Sequence, residues 1–434
     1  MKQTIKLTLV VALALGTTSV YATNGSNLIA TGAKARAMGG TGIGVSHGAE
    51  SGLANVSLIT SVKATEVSFG GMFFMPDVEN KNNINLGDLG DESGTGSSAS
   101  DLNVIPEVSI AGKVNDNFYM GIGIWGTAGM GVDYRGSKNS GQMEMVTNLQ
   151  LMQFAMPLAY TKNNFSVGIT PLLQYGSLDI NYNMSQNLQK AMVANGMKAQ
   201  GVTDMNIIGA EMAKVTADKN VGSGVAQDLK FGYNLGLAYQ INDFTVGAMY
   251  KSQIDMFYKS VLTSAIRAMG VNYKNDALST PAEIGIGASY KYAQHTIALD
   301  YKQIKWSDAK GYQDFDWEDQ DIISIGYEYL TEGWAIRTGY NFADSPISEQ
   351  TRANVNSAGL SAGLVNTFNT LGFPGILESH YTVGASYDIT EQTSIAIAYV
   401  YAPEVTIDYT NFVNQSSETT HSQTSLSFDL VYNF

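Results

Sequence analysis

Cysteine is absent from the 434 residues. That excludes disulfides, zinc–thiolate centres, iron–sulfur clusters and cysteine nucleophiles. Charge is scarce, with Asp, Glu, Lys and Arg at 15% of the chain against roughly 25% in a soluble domain. Basic residues are the minority, 25 Lys plus Arg against 39 Asp plus Glu, so the basic stripe of a nucleic-acid binder is missing. Beyond residue 22 no continuous apolar stretch reaches the ~20 residues of a spanning helix. His47, His295, His380 and His421 are scattered and show no metal-ligand spacing. No Ser/His/Asp motif marks an enzyme, and no dinucleotide or other cofactor fingerprint is present. What is abundant is Gly, at 45, and Tyr, at 24, with Pro at only 8. Mean hydropathy is −0.05. Low charge at neutral hydropathy suits a transmembrane β-barrel, where apolar lipid-facing residues alternate with polar lumenal ones.

The two ends of the chain agree with that class. Lys2 and Lys6 precede an apolar core at residues 7–15, and Val20-Tyr21-Ala22 supplies the small residue of a cleavage site. Residues 1–22 therefore read as a secretory signal peptide. At the far end Leu426, Phe428, Leu430, Tyr432 and Phe434 alternate with mostly polar neighbours, the period of a strand with two unlike faces. A last strand ending in Phe resembles the recognition signal of bacterial outer-membrane barrels, which implies that the barrel assembly machinery engages Phe434.

Between these ends, tight turns recur at Asn115-Asp116, Asn163-Asn164, Asn242-Asp243, Ala293-Gln294, Thr331-Glu332-Gly333 and Thr390-Glu391. Asn, Asp and Gly supply the dihedrals that tight hairpins need. Six hairpins, one strand near residues 64–75 and the terminal strand predict an all-β, 14-stranded antiparallel transmembrane barrel. An even strand number puts both ends on one side, with short turns periplasmic and long loops outside. The first loop, at 77–101, reads as polar and mobile. The third, at 183–227, carries two short amphipathic helices, and another helical turn falls near 260–270. The sixth, at 345–378, holds Leu360, Leu364, Val365, Phe368, Leu371 and Phe373, which either fold into the lumen or form a greasy outer patch. The four tryptophans and many tyrosines read as interface-belt residues. Asp314, Asp316, Glu318, Asp319 and Asp321 cluster near an extracellular loop end; without a defined ligand loop they read as a solvated acidic rim, with Ca²⁺ binding or cation bridging to lipopolysaccharide as the alternative.

Residues 23–61 do not follow the strand rhythm. They are rich in Gly and Ala, and read as a plug inside a barrel wide enough to need one; residues 62–434 form the barrel. The stretch Gly32-Ala33-Lys34-Ala35-Arg36-Ala37-Met38-Gly39-Gly40-Thr41-Gly42, followed by Asn55-Val56-Ser57-Leu58-Ile59, resembles the hatch of the FadL/TodX family. Further matches are Phe231-Gly232-Tyr233-Asn234-Leu235-Gly236, Thr280-Pro281-Ala282, Lys305-Trp306-Ser307 and Trp334-Ala335-Ile336-Arg337-Thr338-Gly339-Tyr340. The family comprises outer-membrane transporters for long-chain fatty acids and other hydrophobic compounds. The resemblance implies loop capture of a hydrophobic molecule, passage to a site in the lumen, and lateral exit at a kinked strand beside the hatch. It implies residence in the outer membrane, among lipid and lipopolysaccharide. Where the family has Asn-Pro-Ala, this chain has Asn55-Val56-Ser57.

The residues that would carry this function follow. Gly39, Gly40, Gly42 and Asn55 belong to the hatch. Gly123, Gly126, Gly129 and Gly131 crowd the third strand, where glycine marks bends and bulges, and give it the lateral exit. For a substrate carboxylate, Arg337 and Lys302, with Lys251 and Lys230, are basic groups that could equally serve as lumenal ion pairs. Leu364, Phe368 and Phe373 would meet the apolar part. At the places where the family's fatty-acid transporters look basic, this chain has Gly176-Ser177-Leu178-Asp179 and Phe315-Asp316-Trp317-Glu318-Asp319. Fatty acid and neutral hydrocarbon both remain open as substrates. The same barrel could instead serve as a surface antigen, an adhesin or a diffusion porin.

Overall fold

The computed structural model describes residues 23–137 and 140–434; the expected signal peptide lies outside them. Fourteen antiparallel strands close into a barrel. They are β1 Thr65–Asn82, β2 Asn103–Lys113, β3 Phe118–Asp133, β4 in two pieces (Val146–Ala155 and Leu158–Lys162), β5 Phe165–Met184, β6 Ala226–Ile241 and β7 Phe244–Lys251. Then follow β8 Glu283–Tyr292, β9 His295–Ile304, β10 Gln320–Leu330, β11 Trp334–Ala343, β12 Ser379–Asp388, β13 Thr393–Thr410 and β14 Ser416–Asn433. Each pairs with its sequence neighbours, and β14 returns to β1 from Ser417↔Asn82 to Asn433↔Glu66. Closure leaves no free edge strand among the described residues, and the ladders are paired except where β2 and β3 part beyond Glu107↔Trp125.

Strand phase sets what faces lipid. On β14, Leu426, Phe428, Leu430 and Tyr432 point outward, while His421, Gln423, Ser425, Ser427 and Asp429 point into the lumen. The same alternation holds on β8, with Ile284 and Ile286 outside. The short connections all lie at one end, and Asn163, Asn242 and Ala293 take the positive φ of tight turns there (56°, 52° and 51°).

The long loops pack down over the opposite end. Helices Gln186–Ala199 and Met205–Met212 cover one side, and Val261–Ala268 another. Leu360, Leu364, Val365, Phe368, Leu371 and Phe373 are buried with Met143, Met145 and Trp317 in one apolar core. They fold inward rather than forming an outer patch, because burial removes their apolar surface from water.

Two expectations need correction. The first loop is shorter than expected: β1 runs on to Asn82 and pairs Glu79–Asn82 with a short strand at Gly94–Ser97. Its Leu86 and Leu89 rest on the loop core. The tryptophans do not form an interface belt. Trp125, Trp306 and Trp317 are 1%, 0% and 3% exposed, and Trp334 alone faces outward. Trp306 and Trp317 sit inside because their indole N–H groups find buried acceptors, Gln320 Oε1 at 2.9 Å and Asn369 Oδ1 at 3.0 Å. Tyrosines such as Tyr290, Tyr381, Tyr387 and Tyr399 are exposed on the outer face.

Candidate functional site

Residues 23–62 lie within the lumen, mostly buried. Lumenal acids hold their backbone. Asp300 on β9 accepts the amides of Gly42 (2.7 Å), Ile43 (2.8 Å) and Gly44 (3.4 Å). Asp429 on β14 accepts Ala33 N at 2.5 Å, and Glu107 on β2 accepts Gly32 N at 2.9 Å. Glu107 also pairs with the buried Arg36. Asn55 donates to Ile43 O (2.8 Å) and Leu237 O (3.0 Å), while its Oδ1 caps the turn at Ser57 N, 3.2 Å away. The segment needs no proline after Asn55 to start that turn.

Barrel glycines make the close approach possible. A Cβ on Gly247, Gly326, Gly339 or Gly384 would run into Ile43, Met38, Gly39 or Ala37 respectively. Gly39, at φ +68°, has the backbone of Tyr340 where a side chain would go. Two ionisable groups of the segment are shifted by burial. His47 is pushed down to about 4, and its Nε2 meets Thr41 O at 2.7 Å. Glu50 is pushed well above the usual carboxylate range.

Between this segment and the wall lies a cavity lined by Leu28, Ile43, Ile254, Lys251, Glu283 and Lys302, and reaching Thr127 on β3. Its two lysines share one acid: Lys251 Nζ and Lys302 Nζ stand 3.2 and 3.4 Å from Glu283 Oε2. Asn27 donates to the other oxygen of Glu283 at 3.2 Å.

Beside Thr127 the barrel wall is interrupted. β2 and β3 pair from Lys113↔Tyr119 to Glu107↔Trp125 and then part. Pro106, next on β2, has no N–H to continue the ladder. Across β3, the register with β4 slips between Gly126 and Ala128, the signature of a bulge. β3 then turns to the N-terminal segment, pairing Ala128 with Asn27, and Gly129 N donates to Ser26 O at 3.0 Å. Leu28, Met72, Phe74 and Ile105 fill the space behind the gap.

The residues singled out in the sequence are dispersed over the molecule rather than gathered in one site. Lys302 lines the cavity. Arg337 faces the lumen on the short-turn side, bound to Glu328 (2.7 Å) and Ser386 (3.0 Å), away from Lys302. Lys230 pairs with Asp228 at 3.4 Å. Leu364, Phe368 and Phe373 lie in the loop core. Gly126 sits at the bulge, with Ile105 where its Cβ would point; Gly123 lies under the Trp125 ring, and Gly131 against Thr147 O. Phe434 is exposed, and its amide donates to Thr65 O at 2.9 Å. The rim acids are engaged within the loops, Asp316 with Arg352 (2.6 Å) and Asp319 with Lys305 (3.0 Å). Sequence reasoning missed Asp300, Glu283 and Glu107. The available signal was an acid at the lumenal phase of a strand.

The sequence pattern of the family described as outer membrane protein transport protein (OMPP1/FadL/TodX) matches residues 13–355. The long-chain fatty acid transport protein of Escherichia coli O6:H1 is 24% identical over 378 residues, 77% of this chain and 79% of that one. Among solved structures, a FadL homologue of Pseudomonas aeruginosa superposes with a TM-score of 0.70 at 14% identity, over 94% of this chain and 100% of that one. The Pseudomonas putida toluene transporter TodX gives 0.65 at 18% identity, over 93% and 99%. A closed barrel of fourteen strands and a match across most of its length lead to one conclusion: this is a transport channel of the bacterial outer membrane, not an enzyme, and it belongs to the OMPP1/FadL/TodX family.

Proposed function

We propose that the protein takes up uncharged hydrophobic molecules, which the apolar loops capture and the lumenal cavity receives. Residues 23–61 act as the plug, and exit is sideways between β2 and β3. The observation that carries this reading is the parting of β2 and β3 beside cavity-lining Thr127. An apolar solute gains nothing from a water-filled pore, but a gap in the wall at bilayer depth offers it lipid. The packed lumen argues against open diffusion.

Charge favours an uncharged cargo. Arg36, Arg337, Lys230, Lys251 and Lys302 each already face a carboxylate. A substrate anion entering there would displace a neutralising acid and leave charge uncompensated at low dielectric. Toluene, which TodX carries by its title, is a compound of this kind. A second reading, long-chain fatty acids, has one observation in its favour: Lys251 and Lys302 share the single Glu283. The Escherichia coli relative is named for that cargo.

The two readings separate in a host lacking its own fatty-acid transporter. With heat-modifiable gel mobility reporting a folded barrel, we expect accumulation of labelled hexylbenzene and no rescue of growth on oleate. Rescue on oleate without hexylbenzene uptake would reverse the choice.

A further inference from the structure

At one level of the lumen, neighbouring strands present a row of polar side chains. The register runs Ser324↔Asn341 from β10 to β11 and Asn341↔His380 from β11 to β12. Tyr381 pairs with Tyr401, which sets His380 level with Ala402 on β13, and Ala402 pairs with Gln423 on β14. Asn341 donates to Ser324 Oγ at 2.8 Å. Beyond that bond the row is unsatisfied. Asn341 Oδ1, both ring nitrogens of His380 and both amide atoms of Gln423 are buried with no hydrogen-bond partner among the described residues. His380 and Gln423 are 0% and 2% exposed.

Buried polar groups in native proteins are nearly always paired, and each exception calls for an explanation. Ala402, on the strand between His380 and Gln423, has no polar atom in its side chain to bridge them. They border instead a void of about one water's size, whose other walls are Leu28, Ile29, Arg36, Met72, Val400 and Ser425. Leu28 and Ile29 also line the main cavity, so the void adjoins it.

We propose that this void is a polar subsite that takes the hydroxyl group of a hydrophobic alcohol or phenol lying in the main cavity. The proposal rests on the uptake reading above and narrows its cargo. Its chemistry follows from what the walls offer. A neutral imidazole and an amide each bring a donor and an acceptor, and a hydroxyl needs both. The charge of Arg36 is already balanced by Glu107, so no net positive charge awaits a carboxylate. A hydrocarbon would leave donors and acceptors unpaired, which a buried site tolerates poorly. Size agrees, because a hydroxyl oxygen fills the space of a water. Leu28 and Ile29, which line both spaces, supply the apolar surround for the carbon next to it.

The test compares labelled 4-hexylphenol, hexylbenzene and 4-hexylbenzoate for uptake into cells that lack their own transporter and carry the full chain. Gel mobility of the folded barrel serves as control. Wild type is expected to take up hexylphenol faster than hexylbenzene. Gln423→Met and His380→Leu are expected to lower hexylphenol uptake about tenfold, the order of one or two lost hydrogen bonds, and to spare hexylbenzene. His380→Gln keeps a donor and an acceptor and should retain most of the preference. Equal effects on phenol and benzene, or none, would mean that the row holds only water, and would overturn the subsite while leaving the uptake reading intact. An effect confined to hexylbenzoate would overturn it in favour of an acid-binding site. Uptake of neither hexylphenol nor hexylbenzene by wild type would overturn the uptake reading itself, and the subsite with it.

Discussion

Asp300 organises the turn at Gly42–Gly44 through three backbone amides. Its nearest relations in the site are Gly287 on the neighbouring strand, where a Cβ would strike its carboxylate, and Ile43, which packs over Gly285. Asp300→Ala removes the acceptor and leaves those amides without it, at a cost of about 1–3 kcal/mol for each one that stays buried. The loss falls on the N-terminal segment, because the β8–β9 and β9–β10 ladders are backbone bonds that the substitution does not touch. The expected outcome is a barrel with wild-type heat-modifiable mobility but raised, fluctuating current in planar bilayers. Steady wild-type current would show that the turn holds without the carboxylate. At this scale the sequence was half legible. Lys302 and Arg337 could be marked as lumenal because their charge stands out in apolar alternation. Their partners could not, since Glu283 is 19 residues from Lys302 by chain and meets it only once β8 and β9 are in register.

Elements were more legible than residues, because period two and turn chemistry are both local. β12 and β13 could be bounded from Val383, Tyr387, Ile395 and Tyr399 with Thr390-Glu391 between them. The loops were not, because their order comes from tertiary burial: Trp317 and Phe368 share a core across chain segments that no local pattern joins. β3 stands between these cases. Its glycines were visible, but the parting from β2 at Glu107 depends on Pro106 of another strand and on Asn27 of the N-terminal segment. This element carries a prediction of its own. Ile105 packs where the Gly126 Cβ would point, so Gly126→Leu puts a branched side chain into the gap. Overpacking of this sort costs roughly 1–3 kcal/mol, little against a barrel held by fourteen ladders. Hexylbenzene uptake is expected to fall at least about fivefold, with barrel mobility unchanged. Uptake at the wild-type rate would remove the exit from this strand. Gly136, which has open space around it, provides the control position.

The whole molecule is a closed wall around a separately held segment, and the two are joined differently. The wall is a ring of backbone ladders, parted where β2 and β3 separate beyond Glu107↔Trp125 and sealed by β14 against β1 and by Phe434 N on Thr65 O. Residues 23–61 meet it through side-chain acids, Asn55, the Gly129 N to Ser26 O bond and close glycine contacts, with one strand bridge, Asn27↔Ala128, among the described residues. A chain lacking residues 23–61 should therefore still close as a barrel, and its lumen should open to water. The charge left on that lumen sets the sign of the next measurement. Glu107 loses its partner Arg36, Asp429 loses Ala33 N, and Asp300 loses its three amides. Glu328 stays matched to Arg337, and Glu283 keeps Lys251 and Lys302. Newly exposed acids thus outnumber the one surplus lysine, and clefts lined by one sign of charge concentrate the opposite ion. The deletion is expected to give a large steady conductance that prefers cations, read as the reversal potential across a KCl gradient. Raising the salt should weaken the preference, as the screening length falls from ~10 Å at 0.1 M to ~3 Å at 1 M. An anion-preferring pore would mean that the acids are not the groups the segment covers; an unchanged, silent barrel would mean that the loops, and not residues 23–61, close the channel.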